Sequence, residues 1–169
     1  MCRSPHYSLQ GDLAIYNPET RLSMFESGPL DATSCVIFVG GLQDSFNGLP
    51  YLKLLGDKLA NELGFSLVQV MLSSGYMGYG TSSLLQDVKE LDILIHFLRE
   101  KRNKERFFLL GHSTGCQDAI YYALHGKYPH LVDGLVLQGP VSDREYMAST
   151  MDNYSKYLTL AQAMIQDGR

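Results

Sequence analysis

A serine between two glycines, in Gly111-His112-Ser113-Thr114-Gly115, is set to attack a carbonyl carbon. The apolar run Phe107 to Leu110 leads into it, and a helix-like pattern follows at once. That is how a nucleophile is mounted on a strand-to-helix turn. Such a turn strains the serine backbone, and the glycines on either side avoid clashes with the neighbouring strand and helix. The helix that follows offers free N–H groups and a positive dipole end to a developing oxyanion. The five letters alone would equally suit a plain glycine-rich turn; the strand before and the helix after are what the mechanism demands.

Acyl transfer needs a second N–H donor from the loop after an earlier central strand. That loop reads Gly40-Gly41-Leu42-Gln43-Asp44, and two glycines let its backbone approach a ligand closely. The N–H of Leu42 would then pair with that of Thr114. Taken alone, the two glycines would also serve a simple turn. Gly75 to Gly80 could line an acyl or aryl pocket through Tyr76 and Tyr79, or be a flexible loop. Cys116, one turn into the helix, reads as a small packing residue.

A nucleophilic serine also needs a histidine to take its proton and an acid to hold that histidine. In this chain order only His125 and His130 lie downstream. At ~1.5 Å per residue His125 falls roughly 18 Å below Ser113, and His130 lies beyond it. His96 reads as a solvated residue on a preceding helix, His112 should leave the strand on the side opposite the serine, and His6 is in an unanchored start. None is a convincing base. Asp143 follows the last strand and is a candidate acid. Ser142-Asp143-Arg144-Glu145 also reads as a capping box, which would make Asp143 a first-turn carboxylate, and this second reading is favoured.

The elements that must position these residues alternate. Leu13 to Tyr16 and Arg21 to Phe25 are short strands around the turn signal Asn17-Pro18-Glu19-Thr20. Cys35 to Val39 is a β-branched run of the kind buried on both faces. Leu52, Leu55, Leu59 and Leu63 form a helical stripe closed by Gly64. A strand over Phe65 to Met71 follows. Ser83 and Gln86 form a capping-box pattern opening a long helix striped by Leu84, Val88, Leu91, Ile95 and Leu98. Residues 114 to 125 give the next helix, and Leu135 to Gln138 one more buried strand. The last stripe, Met147, Met151, Tyr154, Leu158, Ala161 and Ile165, is either a cap over a site or ordinary packing.

Strands alternating with crossover helices predict an α/β fold: a mostly parallel sheet with helices on both faces, and a site beyond the carboxyl ends of the strands. Residues 1–141 are expected to form the main domain and 142–169 a helical segment.

The 169 residues suit one domain with a real core. A net charge of -4 gives no electrostatic reason to expect nucleic acid or an anionic membrane as partner. The one basic cluster, Lys101 to Arg106, reads as a solvated connector. No apolar run approaches the ~20 residues that span a bilayer, and no secretory signal is visible. Cys2, Cys35 and Cys116 are an odd number without metal-binding spacing, so neither metal nor cofactor is expected and a cytoplasmic location is.

The stretches "FVGGLQD", "SSGYMGYGTSSLLQDVKEL", "LLGHSTGCQDAIYY" and "LQGPVSDREY" resemble the α/β-hydrolases. They are closer still to a fungal and plant family of siderophore-esterase-like members long catalogued as a domain of unknown function. The resemblance implies ester hydrolysis of a small-molecule substrate with Ser113 as nucleophile and Leu42 and Thr114 as oxyanion donors. It also favours Gly41, Tyr76 and Tyr79 as pocket wall. In the family the acid and histidine follow later strands, and this chain ends before those positions. The expectation is therefore an α/β-hydrolase fold lacking its last strands, inactive by itself. The alternative is a non-catalytic ligand-binding or partner protein on the same scaffold. A bare apolar edge at Leu135 to Gln138 would favour self-association.

Overall fold

Side-chain alternation along the strands decides which helix covers which face. The computed structural model describes residues 8–78 and 80–168. Its strands are β1 (Gly11–Asn17), β2 (Leu22–Ser27), β3 (Ser34–Val39), β4 (Ser66–Val70), β5 (Arg106–His112) and β6 (Val132–Gln138). They form one sheet in the order β1-β2-β4-β3-β5-β6. β1 and β2 run antiparallel to each other, β2 runs antiparallel to β4, and the pairs β4-β3, β3-β5 and β5-β6 are parallel.

Cys35, Ile37 and Val39 of β3, with Leu109 of β5 and Val68 of β4, point to one face. There they meet Val88, Leu91, Leu94, Ile95 and Leu98 of α2 (Leu84–Arg102) and Ala119 and Tyr122 of α3 (Gly115–His125). Phe38, Leu67 and Leu110 point the other way, onto Leu52 of α1 (Leu52–Lys58) and Leu59 of the π-helical turn Leu59–Leu63. Adjacent residues thus serve opposite faces, as period-two geometry requires. Gly64 closes that turn at φ 67, the left-handed conformation expected of a terminating glycine.

At the start of α2, Ser83 Oγ accepts from the Gln86 N–H at 3.2 Å. The reciprocal half of the expected box is replaced, because the Gln86 amide instead donates to Glu90 Oε1 at 2.9 Å. Asn103, left-handed at φ 53, ends α2 and turns the chain back toward the sheet. That reversal corrects the solvated reading at Lys104. Its Nζ is fully buried 2.7 Å from Glu26 Oε1 and donates to the carbonyls of Leu30 and Ala32 at 3.1 and 2.6 Å.

β6 is the expected sheet edge, and Leu135, Val136 and Leu137 are 38%, 54% and 39% exposed rather than buried, because it has a neighbour on one side only. One further expectation is corrected. The final stripe is two helices, α4 (Asp143–Thr150) and α5 (Tyr154–Gln166), separated at Asn153 with φ 60. Asn tolerates that conformation better than most residues. Neither helix buries a residue fully, so ordinary core packing does not explain their apolar positions.

Candidate active site

β5 ends at His112, and Ser113 follows with φ 52. A non-glycine residue there is strained by about 1–3 kcal/mol, and the surroundings must hold it. They do so from three sides. The Ser113 N–H donates to Gln138 O at 3.0 Å, and Ser113 O accepts from the Cys116 N–H at 3.1 Å, beginning the turn into α3. A Cβ on Gly111 would lie 2.6 Å from Gly115 O, and one on Gly115 would overlap the carbonyl oxygens of Val39 and Gly40. Only glycine lets β3, β5 and α3 approach this closely.

The loop after β3 reaches the same place. A Cβ on Gly41 would lie 2.8 Å from the Ser113 Cβ and 3.1 Å from His112 O. Asp44 pins this loop: its Oδ2 accepts the Gly41 N–H at 2.8 Å, while its own N–H donates to Gly41 O at 3.0 Å. Further along, the Asn47 N–H donates to Gln69 Oε1 at 2.6 Å. Among the described residues, neither the Leu42 nor the Thr114 N–H donates to a protein acceptor. Both residues line a cavity of about 380 Å³ that also meets Gly41, Gly75, Gly80 and Asp143. Ser113 is not itself among the lining residues, but its neighbour Thr114 is, and its Cβ lies against the lining residue Gly41.

Tyr76 is not brought in with these residues. It lies at φ 51 in a short 3₁₀ turn, Tyr76–Gly78, and is 52% exposed. Tyr79, Cys2 and His6 fall outside the described residues. Cys116 is buried with its Sγ donating to Gly111 O at 3.1 Å, and burial raises its pKa, which suits packing.

No histidine among the described residues hydrogen-bonds to Ser113 Oγ. His125 packs on Tyr121 at the far end of α3, with ring centroids 4.2 Å apart. His130 and His96 flank Tyr128, each 6.5 Å from its ring centre. The His112 ring turns to Gln138 Oε1 through Nδ1, with Nε2 4.0 Å from Asp44 Oδ2. Asp143 opens α4, and Ser142 Oγ accepts from the Glu145 N–H at 3.3 Å, so the cap forms while Asp143 faces the cavity.

The cavity also holds residues that sequence reasoning missed. Asp87 and Asp118, in the first turns of α2 and α3, are 3% and 7% exposed and act on each other electrostatically. Burial, then the charge of Asp87, pushes Asp118 up to about 8. Burial raises Asp87 as well, and the charge of Glu90 adds to it. Their sequence signal was an acid one turn into each helix, which resembled ordinary complements to a helix dipole. Neighbouring Glu90 is equally buried but satisfied: it accepts the Ser73 N–H at 2.8 Å, the Ser73 hydroxyl at 2.5 Å and the Gln86 amide. No helix is long and apolar enough to cross a membrane, and no three His, Cys, Asp or Glu converge as metal ligands among the described residues.

Known proteins share this fold. A solved α/β-hydrolase fold protein of unknown function superposes with a TM-score of 0.76 at 23% identity, covering 99% of this chain and 56% of its own. The siderophore hydrolase EstB from Aspergillus fumigatus gives 0.70 at 26% identity, covering 98% and 56%. A UPF0613 protein of Schizosaccharomyces pombe is 39% identical over 116 residues, 66% of this chain and 36% of that protein. The fusarinine C esterase of Aspergillus fumigatus is 30% identical over 134 residues, 65% of this chain and 37% of that protein. The chain therefore spans little more than a third of these curated relatives and just over half of these solved structures. Residues 5–169 match the family model described as protein of unknown function (DUF1749). With its mixed sheet, its crossover helices and its strained serine turn, the chain belongs to that family and has the α/β-hydrolase fold.

Proposed function

We propose that this chain carries the nucleophile and oxyanion portion of a serine esterase acting on a small-molecule ester. The observation that carries the reading is Ser113 at φ 52 between β5 and α3, held where only glycine fits on either side. In it, Ser113 attacks the ester carbonyl and the N–H groups of Leu42 and Thr114 receive the oxyanion. Gly41 forms the wall beside them. Two relatives, named as an esterase from Emericella nidulans and a fusarinine C esterase, support ester chemistry.

The acid and base of the triad are proposed to lie outside the described residues. Asp143 serves first as a first-turn carboxylate behind the Ser142 cap, and as the acid only if a histidine is delivered to it. The helices α4 and α5 are read as the start of a cap. Two buried free cysteines, Cys35 and Cys116, support a cytoplasmic setting.

Loss of the base in a worked serine protease costs about 10⁶ in kcat, while an oxyanion hole and binding leave roughly 10³–10⁴ over water. The 169-residue chain should therefore hydrolyse a short activated ester no faster than its Ser113→Ala variant, and resist a serine-directed phosphonate. A chain extended by the family's later strands should become labelled at Ser113. An extended, folded chain that hydrolyses esters without Ser113 would overturn the assignment. The absence of a contacting histidine favours one other reading, a ligand-binding protein that keeps the pocket without chemistry.

A further inference from the structure

The geometry points to an ammonium-recognition subsite at Asp87 and Asp118, so that the ester taken by this cavity bears a protonated amine. The inference rests on the cavity being the substrate site proposed above. Four carboxylates line that cavity, Asp44, Asp87, Asp118 and Asp143, and among the described lining residues there is no lysine, arginine or histidine. A cavity so charged rejects anions and attracts cations.

Asp44 is already occupied by the Gly41 N–H. Asp87 and Asp118 are different: Oδ1 of each lacks a hydrogen-bond donor among the described residues, although both side chains are more than nine-tenths buried. Buried carboxylate oxygens without donors are costly, and a ligand with several N–H groups would relieve that cost. Gln69 is an independent sign. It is 1% exposed and lines the cavity, and its Nε2 has no acceptor among the described residues while its Oε1 is held by Asn47. A ligand satisfying all three carries an ammonium for the two acids and an oxygen acceptor for the amide.

Asp118 lies four residues beyond Thr114, about 6 Å along the helix axis. The ammonium would thus sit several bonds from the attacked carbonyl. A bare metal ion fits less well, since no three ligating groups converge among the described residues.

Asp87, Asp143 and Cys116 interact with Asp118, Glu90 and Tyr16 interact with its partner Asp87, and Asp44 lines the same cavity. Burial and the charge of Asp87 push Asp118 up to about 8, so the pair holds a proton below that pH and releases it to solvent above. Cation affinity must rise as that proton leaves.

The test is titration of the 169-residue chain with n-butylammonium, which stays protonated across the range, and with neutral butan-1-ol. Amide chemical shifts are read near pH 6.5 and near pH 9. We expect n-butylammonium to bind about fivefold or more tightly at the higher pH, with shifts centred on the first turns of α2 and α3, and butan-1-ol to show no such change. Asp118→Asn and Asp87→Asn should each abolish the pH-dependent gain while keeping the folded spectrum. Equal affinity at both pH values, or unchanged binding in a folded variant, overturns the subsite. Because none of these readings uses Ser113, a subsite that binds while phosphonate labelling fails in the extended chain removes only the esterase reading. Labelling without ammonium binding removes only this one.

Discussion

Gly41 has no spare volume. A methyl group there would enter the van der Waals shell of the Ser113 Cβ at 2.8 Å. Gly41→Ala should lower stability by about 1–3 kcal/mol, the usual range for overpacking. Thermal melting would show it, and a variant that melts like the wild type would mean the loop moves freely from the serine. Asp118 makes a different prediction. Its pKa in the folded chain, about 8, lies above the ordinary 3.8, so between those limits the folded chain holds a proton that the unfolded chain has released. Its stabilising contribution is complete at low pH and is lost as pH rises toward 8. Asp118→Asn keeps the neutral shape and loses that dependence. Its urea midpoint should therefore exceed the wild type's by an amount that grows from pH 5 to pH 8. A constant difference would mean the proton is not held.

At the scale of elements, α2 begins with a single side-chain cap from Ser83 Oγ. Ser83→Ala should cost about 1 kcal/mol in chemical denaturation. A cost near zero would show that packing of the α2 stripe alone fixes its start. That stripe was legible in sequence because its steps of three and four match one buried helix face, and β3 was legible because a β-branched run has few alternatives. The serine turn was legible for a related reason: strand, glycine and helix signals coincided within a few residues. What stayed hidden depended on contacts between distant segments. Lys104 looked like part of a basic connector, and only Asn103's reversal turns it toward Glu26, 78 positions earlier. Asp87 and Asp118 meet because two helices start at one cavity, which no local pattern encodes. The break at Asn153 was hidden because the apolar spacing runs through it undisturbed.

Across the whole molecule, two features outside the candidate site carry opposite risks. The Lys104–Glu26 pair joins the end of α2 to β2 inside the core. Lys104→Met would leave Glu26 charged and buried, at a cost of about 3–5 kcal/mol, and Glu26→Gln added to it should recover much of that loss. No recovery in the double variant would place the loss in packing instead. The β6 edge presents Leu135, Val136 and Leu137 to solvent. We expect concentration-dependent association by sedimentation, reduced by Val136→Lys because a charge on an exposed edge opposes strand pairing. A monomer at high concentration for the unaltered chain would contradict this.

The last residue of that edge is also joined to the serine turn. Gln138 O accepts the Ser113 N–H at 3.0 Å, and its side-chain oxygen holds both the His112 ring and, at 3.3 Å, the Tyr51 hydroxyl. A chain end that frays, or a molecule that adds a strand to β6, would therefore be mechanically in series with the serine. The Ser113 amide should act as a strain gauge for the edge. Its hydrogen–deuterium exchange should follow the opening of β6 rather than that of the β3–β5 centre, and should slow when anything docks along Leu135 to Gln138.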